Sequence, residues 1–303
     1  MKVLITGATG FIGKHRVSHL SDLGATVIKT GRSYIVNCDN GVNGSSLYKL
    51  DIAERDSIKE VVSRHKPERI EHFASLAIVS TSRHDPYAAY RTNVLGVVNV
   101  LEAAKACNVP EVMIFTTDKY YGDLAIASEG SRPLVTAGAY ETSKLCQDII
   151  AQSYIKQGVN VKIIRSCNVF GPNDMNSRII PNTLRKLSSN QEPIIFTNIL
   201  GVRQYIYIYD LMEAIDVILK DGKDNAYNVG TSICKSQKDV VAEIIDVWNE
   251  THGSNFKGRN IPGQDMKEIP RQYLRWNAVK QLGWKPAWSF KSGIRDIIGT
   301  EGL

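Results

Sequence analysis

Tyr140-Glu-Thr-Ser-Lys144 sets a phenol and an ammonium four residues apart, on one face of a single helical turn. About one such pair is expected by chance in a chain this rich in Tyr and Lys, so its position must carry the case. It opens the helix that follows the fifth strand of a regular alternation. A phenol has an ordinary pKa of ~10, and a neighbouring cation favours its phenolate. Such a phenolate takes the proton of an alcohol as hydride leaves the same carbon. Just upstream, Thr116-Thr-Asp-Lys-Tyr-Tyr-Gly122 ends that fifth strand. There Thr117 can hydrogen-bond the reacting oxygen, and Asp118 and Lys119 set an acid and a potential base beside it. A lysine base must be neutral, so its pKa has to fall about three units from ~10.4, at a cost of roughly 4 kcal/mol. Burial and the Lys144 cation push that way, and Asp118 pushes back. The alternative is a polar loop with a local ion pair. Arg165, Arg203 and Arg271 suit bidentate contact with a diphosphate, although each taken singly reads as a surface residue.

These groups need elements to hold them. Val3, Leu4 and Ile5 form an apolar run without alternation, as in a strand buried on both faces. Gly7, Gly10 and Gly13 follow at spacing three, and Phe11, Ile12, Val17 and Leu20 begin an amphipathic helix. Gly7 allows the tight turn, Gly10 the approach of a pyrophosphate, and Gly13 the close packing of helix on strand. The helix N-terminus offers free N–H groups and partial positive charge to the phosphates. A dinucleotide held there would bring a nicotinamide cation to Tyr140, and Lys144 would hold its ribose.

Further strands are expected at 25–30, 47–50, 69–73, 111–116 and 161–165, with helices at 54–65, 86–106 and 138–157 between them. That alternation predicts a doubly wound parallel α/β sheet. Ligands bind such sheets beyond the carboxyl ends of the strands, where Gly7, Asp51, Phe73 to Ser75 and Thr116 to Lys119 all fall. Beyond Ser166 the rhythm breaks into a loop at 168–176, helices at 177–188, 209–219 and 236–248, a strand at 204–208, and a polar, turn-rich stretch at 250–272. The expected division is a dinucleotide domain over 1–166, to which 197–224 returns, and a smaller α/β substrate lobe over 167–303.

Composition agrees with an ordinary globular chain: 303 residues, 43% hydrophobic, 22% charged and a net charge of +6. No apolar run reaches the ~18 residues of a membrane span. The opening reads as a strand rather than a signal peptide. Cys38, Cys107, Cys146, Cys167 and Cys234 are odd in number and far apart, as expected of reduced thiols in a cytoplasmic protein. No metal motif is present.

Together these residues resemble the extended short-chain dehydrogenase/reductases, in their nucleotide-sugar epimerase and dehydratase group. Gly7-Ala-Thr-Gly-Phe-Ile-Gly13 resembles the dinucleotide fingerprint, His72-Phe-Ala-Ser75 the H-x-A-A motif and Thr92-Asn-Val-Leu-Gly96 the T-N-V-x-G helix. Asn168-Val-Phe-Gly-Pro172 resembles the substrate loop, Arg203-Gln-Tyr-Ile-Tyr-Ile the R-D-Y-x-Y-V strand, and Leu282-Gly-Trp-Lys-Pro286 the late L-G-W-x-P. The resemblance implies a Rossmann-like fold. It implies cofactor contacts from Gly7, Thr9, Gly10, Phe11, Ile12 and Gly13, then from Arg32, Asp51, Ile52, Phe73, Ala74, Ser75 and Asn93, and from Tyr140 and Lys144. It implies substrate contacts from Ser75, Thr117, Asn168, Arg178, Arg203 and Arg271.

Within that group, Thr117-Asp118-Lys119 looks like the dehydratase signature, and Lys at 119 like its CDP-glucose 4,6-dehydratase branch. Ser177-Arg-Ile-Ile-Pro181 and Glu268-Ile-Pro-Arg-Gln-Tyr-Leu274 resemble the same branch. The implied substrate is a nucleotide-diphosphate hexose of the CDP-glucose or GDP-mannose type. Tyr140 would deprotonate its 4-hydroxyl, Lys119 remove the C5 proton and Asp118 protonate the departing C6 hydroxyl. A 4-epimerase, a 4-keto reductase and a catalytically silent dinucleotide sensor are the alternatives. Two positions depart from the pattern. The second strand ends Thr30-Gly-Arg-Ser33, with no acid for a ribose 2′-hydroxyl, and Arg32 tilts the cofactor from NAD toward NADP. Gln204 stands where the group has Asp. The resemblance also implies a homodimer through helices 86–106 and 138–157, with Ala88, Ala89, Val97, Val100 and Ala104 offering contacts.

Overall fold

A computed structural model describes residues 1–32, 47–135, 138–199, 201–263 and 269–303. Ser33, Cys38 and Glu268, named above, lie outside them. The chain divides into two compact units, one of residues 1–122, 131–165 and 218–227, the other of 123–130, 166–217 and 228–303.

The first unit is built on β1 (Lys2–Thr6), α1 (Phe11–Asp22), β2 (Thr26–Gly31), β3 (Leu47–Lys49), α2 (Arg55–His65), β4 (Arg69–His72), α3 (Val79–His84), α4 (Pro86–Tyr90), α5 (Gly96–Ala106), β5 (Glu111–Thr117), α6 (Ala139–Lys156), β6 (Val161–Ser166) and β7 (Ala226–Val229). The strands form one seven-stranded parallel sheet in the order β7-β6-β5-β4-β1-β2-β3. Strand order reverses beside β1, which pairs with both β2 and β4. That reversal opens the crevice in which such sheets take ligands.

Both sheet faces are covered, which is why β1 shows no polar alternation: Val3, Leu4 and Ile5 are fully buried. Leu4, Ile28, Ile70 and Val112 pack on one side with Val62, Val97 and Leu101, and Val3, Ile5 and Val27 on the other with Leu20. Arg16 of α1 and Glu71 of β4 are also fully buried and joined by two hydrogen bonds of 2.7 and 3.0 Å. They tie α1 to the sheet without leaving a buried charge unpaired.

The helix expected at 86–106 is interrupted. Pro86 begins α4 with Asp85 capping it, its carboxylate accepting from the Ala88 amide at 2.9 Å. A single π-helical turn, Arg91–Leu95, then leads into α5. Such wide turns alter which residues face the fold, and Asn93 sits in this one. The expected dimer contacts need correction: Ala89, Val97, Val100 and Ala104 are at most 1% exposed and lie in the unit's own core. Their small apolar side chains let α4 and α5 pack inward. Tyr87, Tyr90, Leu95 and, on α6, Ile149 are exposed apolar side chains.

The second unit centres on strands Cys234–Ser236, Val202–Tyr207, Arg271–Leu274 and Ile126–Ala127 in that order, with Asn168–Phe170 also pairing Val202–Tyr207. Residues 168–170, expected as loop, are thus a strand. Gln204 is fully buried here. Its Oε1 accepts from the Leu274 amide at 3.1 Å, and its Nε2 donates to the Thr231 and Leu274 carbonyls at 2.5 and 3.2 Å. An aspartate could accept the first bond but not donate the others, so the departure at 204 is a structural splice between strands. Among the described residues no helix is long and apolar enough to cross a membrane.

Candidate active site

At the carboxyl end of β1, Gly7 adopts φ +71°, and a Cβ there would lie 2.6 Å from the Ala74 amide nitrogen. A Cβ on Gly13 would lie 2.1 Å from the Gly7 carbonyl oxygen. Neither position tolerates a side chain. Gly10 caps α1 with no side-chain hydrogen bond, and the first turn holds no acidic residue. Its N–H groups are left to an anion. This turn fits a dinucleotide pyrophosphate by shape as well as by charge.

Next to it, the Arg32 side chain is exposed past the end of β2, close enough for its charge to act on Asp51. Burial pushes the Asp51 carboxyl up, but the Ala53 amide and the Arg91 guanidinium outweigh it and hold the carboxyl below its ordinary value. Arg91 donates to Asp51 Oδ2 at 2.8 Å and also reaches Glu54. The Ile52 side chain is in the core, packed on Gly96, and its carbonyl accepts from Asn99. Phe73, Ala74 and Ser75 are half-buried after β4, with Phe73 against Phe115.

Helix α6 brings Tyr140 and Lys144 into this unit's interior, 9% and 3% exposed. The Ser143 hydroxyl donates to the Tyr140 carbonyl at 2.7 Å and accepts from Asn93 Nδ2 at 2.9 Å. Asn93 also bonds both backbone polar groups of Leu76. It thereby joins the loop after β4 to the first turn of α6, and its amide is occupied by protein. Burial pulls the Lys144 ammonium down to about 7. His72 shares a 2.7 Å hydrogen bond with Thr6, and burial, then the Lys144 charge, push its imidazole down to about 3. It stays neutral beside the lysine.

The turn Asp118–Tyr121 follows β5 and packs on α6. The Thr117 hydroxyl donates to Asp118 Oδ1 at 2.9 Å, and Lys119 Nζ lies 3.4 Å from the same oxygen. Hydroxyl, carboxylate and lysine thus meet at the sheet's carboxyl edge, the last two as a local ion pair, with Asp118 only 4% exposed.

Arg165 is not available for a diphosphate, contrary to expectation. Its Nε and Nη2 each donate to the Asp148 carboxylate at 2.8 Å, and its Nη1 donates to the Tyr121 hydroxyl at 2.9 Å. The guanidinium stacks 3.9 Å above the Tyr120 ring. The bidentate partner is the protein's own buried carboxylate, which also accepts from Thr116 and Gln152. This network braces the Asp118–Tyr121 turn from behind.

In the second unit, Asn168, Arg203 and Arg271 lie on neighbouring strands of one sheet. Asn168 Nδ2 donates to the Gln204 carbonyl at 3.0 Å. Arg203 donates to the Val202 and Ile269 carbonyls. Arg271 lies 5.7 Å over the Tyr273 ring. Arg178 precedes helix Ile179–Ser188 and approaches Asp174 at 3.9 Å.

Two side chains near Tyr140 and Lys144, Arg83 and Gln147, were not singled out by the sequence. Arg83, Val79, Pro86 and residues 138–141 line a cavity of about 350 Å³ in the first unit that includes Tyr140. The stretch holding Arg83 has no periodic pattern to announce it. Gln147 stands three residues past Lys144, a helical neighbour that spacing alone could have flagged. Among the described residues no cluster of His, Cys, Asp or Glu could hold a metal ion.

The profile of the NAD dependent epimerase/dehydratase family matches residues 3–230. Human dTDP-D-glucose 4,6-dehydratase is 28% identical over 98% of this chain and 89% of its own. The CDP-glucose 4,6-dehydratase of Salmonella typhimurium is 25% identical over 98% of this chain and 89% of its own. The crystal structure of Thermotoga maritima UDP-glucose 4-epimerase with UDP-glucose matches with a TM-score of 0.89 at 22% identity, over 100% of this chain and 99% of that one. At that identity the likeness is one of fold.

Proposed function

The chain belongs to the NAD dependent epimerase/dehydratase family, and from that premise we propose that it is a nucleotide-diphosphate-sugar 4,6-dehydratase. The observation that carries this reading is the Thr117–Asp118–Lys119 cluster, a carboxylate and a lysine 3.4 Å apart as an ion pair, with the Thr117 hydroxyl donating to the same carboxylate oxygen. A proton passed from Lys119 to Asp118 along that contact makes one the base and the other the acid. Epimerisation at C4 needs only a base for the 4-hydroxyl. Elimination across C5 and C6 needs a second base and an acid as well.

Bound nicotinamide cofactor supplies the hydride acceptor for C4 and the donor for C6. Tyr140 takes the C4 hydroxyl proton, with the Lys144 ammonium favouring its phenolate. Thr117 orients the reacting oxygen. Lys119 removes the proton from C5, made acidic by the new 4-ketone. Asp118 gives a proton to the C6 hydroxyl, which leaves as water; Lys119 returns its proton to C5 as C6 is reduced, and the product is a 4-keto-6-deoxy sugar nucleotide. Asn93 and Ser143 act by holding the first turn of α6 in place.

CDP-glucose and GDP-mannose are the favoured substrates, with dTDP-glucose and UDP-glucose the comparisons. Incubating each with enzyme and oxidised cofactor yields a 4-keto-6-deoxy product from at least one. Return of all four unchanged, or only epimerised at C4, refutes the reading. The cytoplasm is the proposed compartment, and a homodimer through α4, α5 and α6 would use Tyr87, Leu95 and Ile149.

NADP is the proposed cofactor over NAD, because Arg32 stands where an acid would bind the ribose 2′-hydroxyl. A charge-assisted hydrogen bond of this kind contributes about 1.5–3 kcal/mol. Arg32→Asp therefore shifts the ratio of dissociation constants for NADP and NAD by about 10- to 100-fold toward NAD, measured by calorimetry. An unchanged ratio removes Arg32 from cofactor choice.

A further inference from the structure

Lys144 Nζ donates to Gln147 Oε1 at 2.8 Å, and among the described residues no carboxylate lies within ion-pair distance of it. Gln147 is fully buried, and its Nε2 has no hydrogen-bond partner among the described residues. Leaving a buried N–H unmade is costly, and an apolar side chain of that length would avoid the cost. It would also leave the Lys144 ammonium with no acceptor. The amide is thus a net burden on packing whose oxygen meets the one cation at the heart of α6.

We propose that Gln147 is a positioning residue for Lys144, its carbonyl oxygen holding Nζ in place and setting the pH above which Lys144 ceases to grip the cofactor. The inference rests on reading Lys144 as the lysine that holds the cofactor's ribose. A neutral acceptor favours ammonium over amine through one hydrogen bond, with no opposite charge. A carboxylate in the same place would add that charge and keep the ammonium to higher pH.

Groups on the elements packed against α6 do not substitute for it. These are Asp118, Lys119, Tyr120 and Tyr121 on the turn after β5, Arg91 on the π-turn, Arg83 and His84 on α3, Tyr87 and Tyr90 on α4, Glu102 and Lys105 on α5, and Glu111 on β5. On α6 itself, Asp148 is taken by Arg165. His72 is neutral and coupled to Lys144 through charge. Burial has already brought the Lys144 ammonium down to about 7, so it loses its proton as the pH rises through neutrality, and small changes in its acceptor fall in a measurable range.

The test is calorimetric binding of oxidised cofactor to the full chain between pH 6 and 10, for the parent, Gln147→Glu and Gln147→Met. Parental affinity is expected to weaken above neutral pH. Gln147→Glu moves that midpoint up by about one pH unit, which is tenfold in proton affinity. Gln147→Met moves it down and weakens binding at pH 7.5 several-fold. Thermal unfolding in parallel separates a structural role, which moves stability and leaves the midpoint in place. Coincident midpoints in the folded proteins, or a parental affinity flat with pH, overturn the inference. If Gln147→Met does not fold, the near-isosteric Gln147→Glu decides alone. Failure of the dehydratase reading shows instead as absence of sugar turnover, with these midpoints unaffected.

Discussion

Tyr140→Phe lowers kcat by about 10³-fold, within the 10²–10⁴ that a positioned acid–base group contributes, and changes cofactor affinity by less than about threefold. The phenol ring is buried in α6, and Phe keeps its packing while removing the oxygen that, in the proposed mechanism, exchanges a proton with the C4 hydroxyl. Lys144 retains its Gln147 bond, so the cofactor's grip survives. Steady-state kinetics on the sugar nucleotide that is turned over, with calorimetry for the cofactor, separate the two effects. A loss of less than tenfold in kcat would show that another group takes the proton.

The second large effect is on stability. Asp148→Ala costs about 3–5 kcal/mol, because it leaves the Arg165 guanidinium buried without its carboxylate. Arg165 and Asp148 are 2% and 0% exposed at their side chains, so water cannot replace the lost carboxylate. Thr116 and Gln152 lose an acceptor as well. Urea unfolding measures the change, and Arg165→Met combined with Asp148→Leu should recover much of it by removing both charges together. A cost below about 1 kcal/mol for Asp148→Ala would mean that the pair does not brace the Asp118–Tyr121 turn.

Much of the first unit was legible because its signals are local. Three glycines after an unalternating apolar run specify strand, tight turn and close-packed helix, and Gly7 and Gly13 occupy positions where a Cβ does not fit. Tyr140 and Lys144 could be paired because four residues make one helical turn. Partnerships across the fold were not legible. Arg165 meets Asp148 across 17 residues and two elements, and nothing in its local sequence distinguishes a guanidinium bound by protein from one awaiting phosphate. Asn93 occupies a wide helical turn whose spacing differs from the regular period. Val97 and Val100 were expected at an interface since they are small and apolar, and the same property suits them to the unit's own core. The second unit was least legible, as its strands of two to six residues are too short to show a period, and Gln204 meets backbone 70 residues away.

The most direct test follows the C4 hydrogen. The substrate is incubated with deuterium at C4, and the product is examined by NMR and mass spectrometry. The account predicts a 4-keto-6-deoxy sugar nucleotide carrying the deuterium on C6, lighter than the labelled substrate by one water. Deuterium still on C4, in a sugar inverted there with no loss of mass, would contradict it and identify an epimerase.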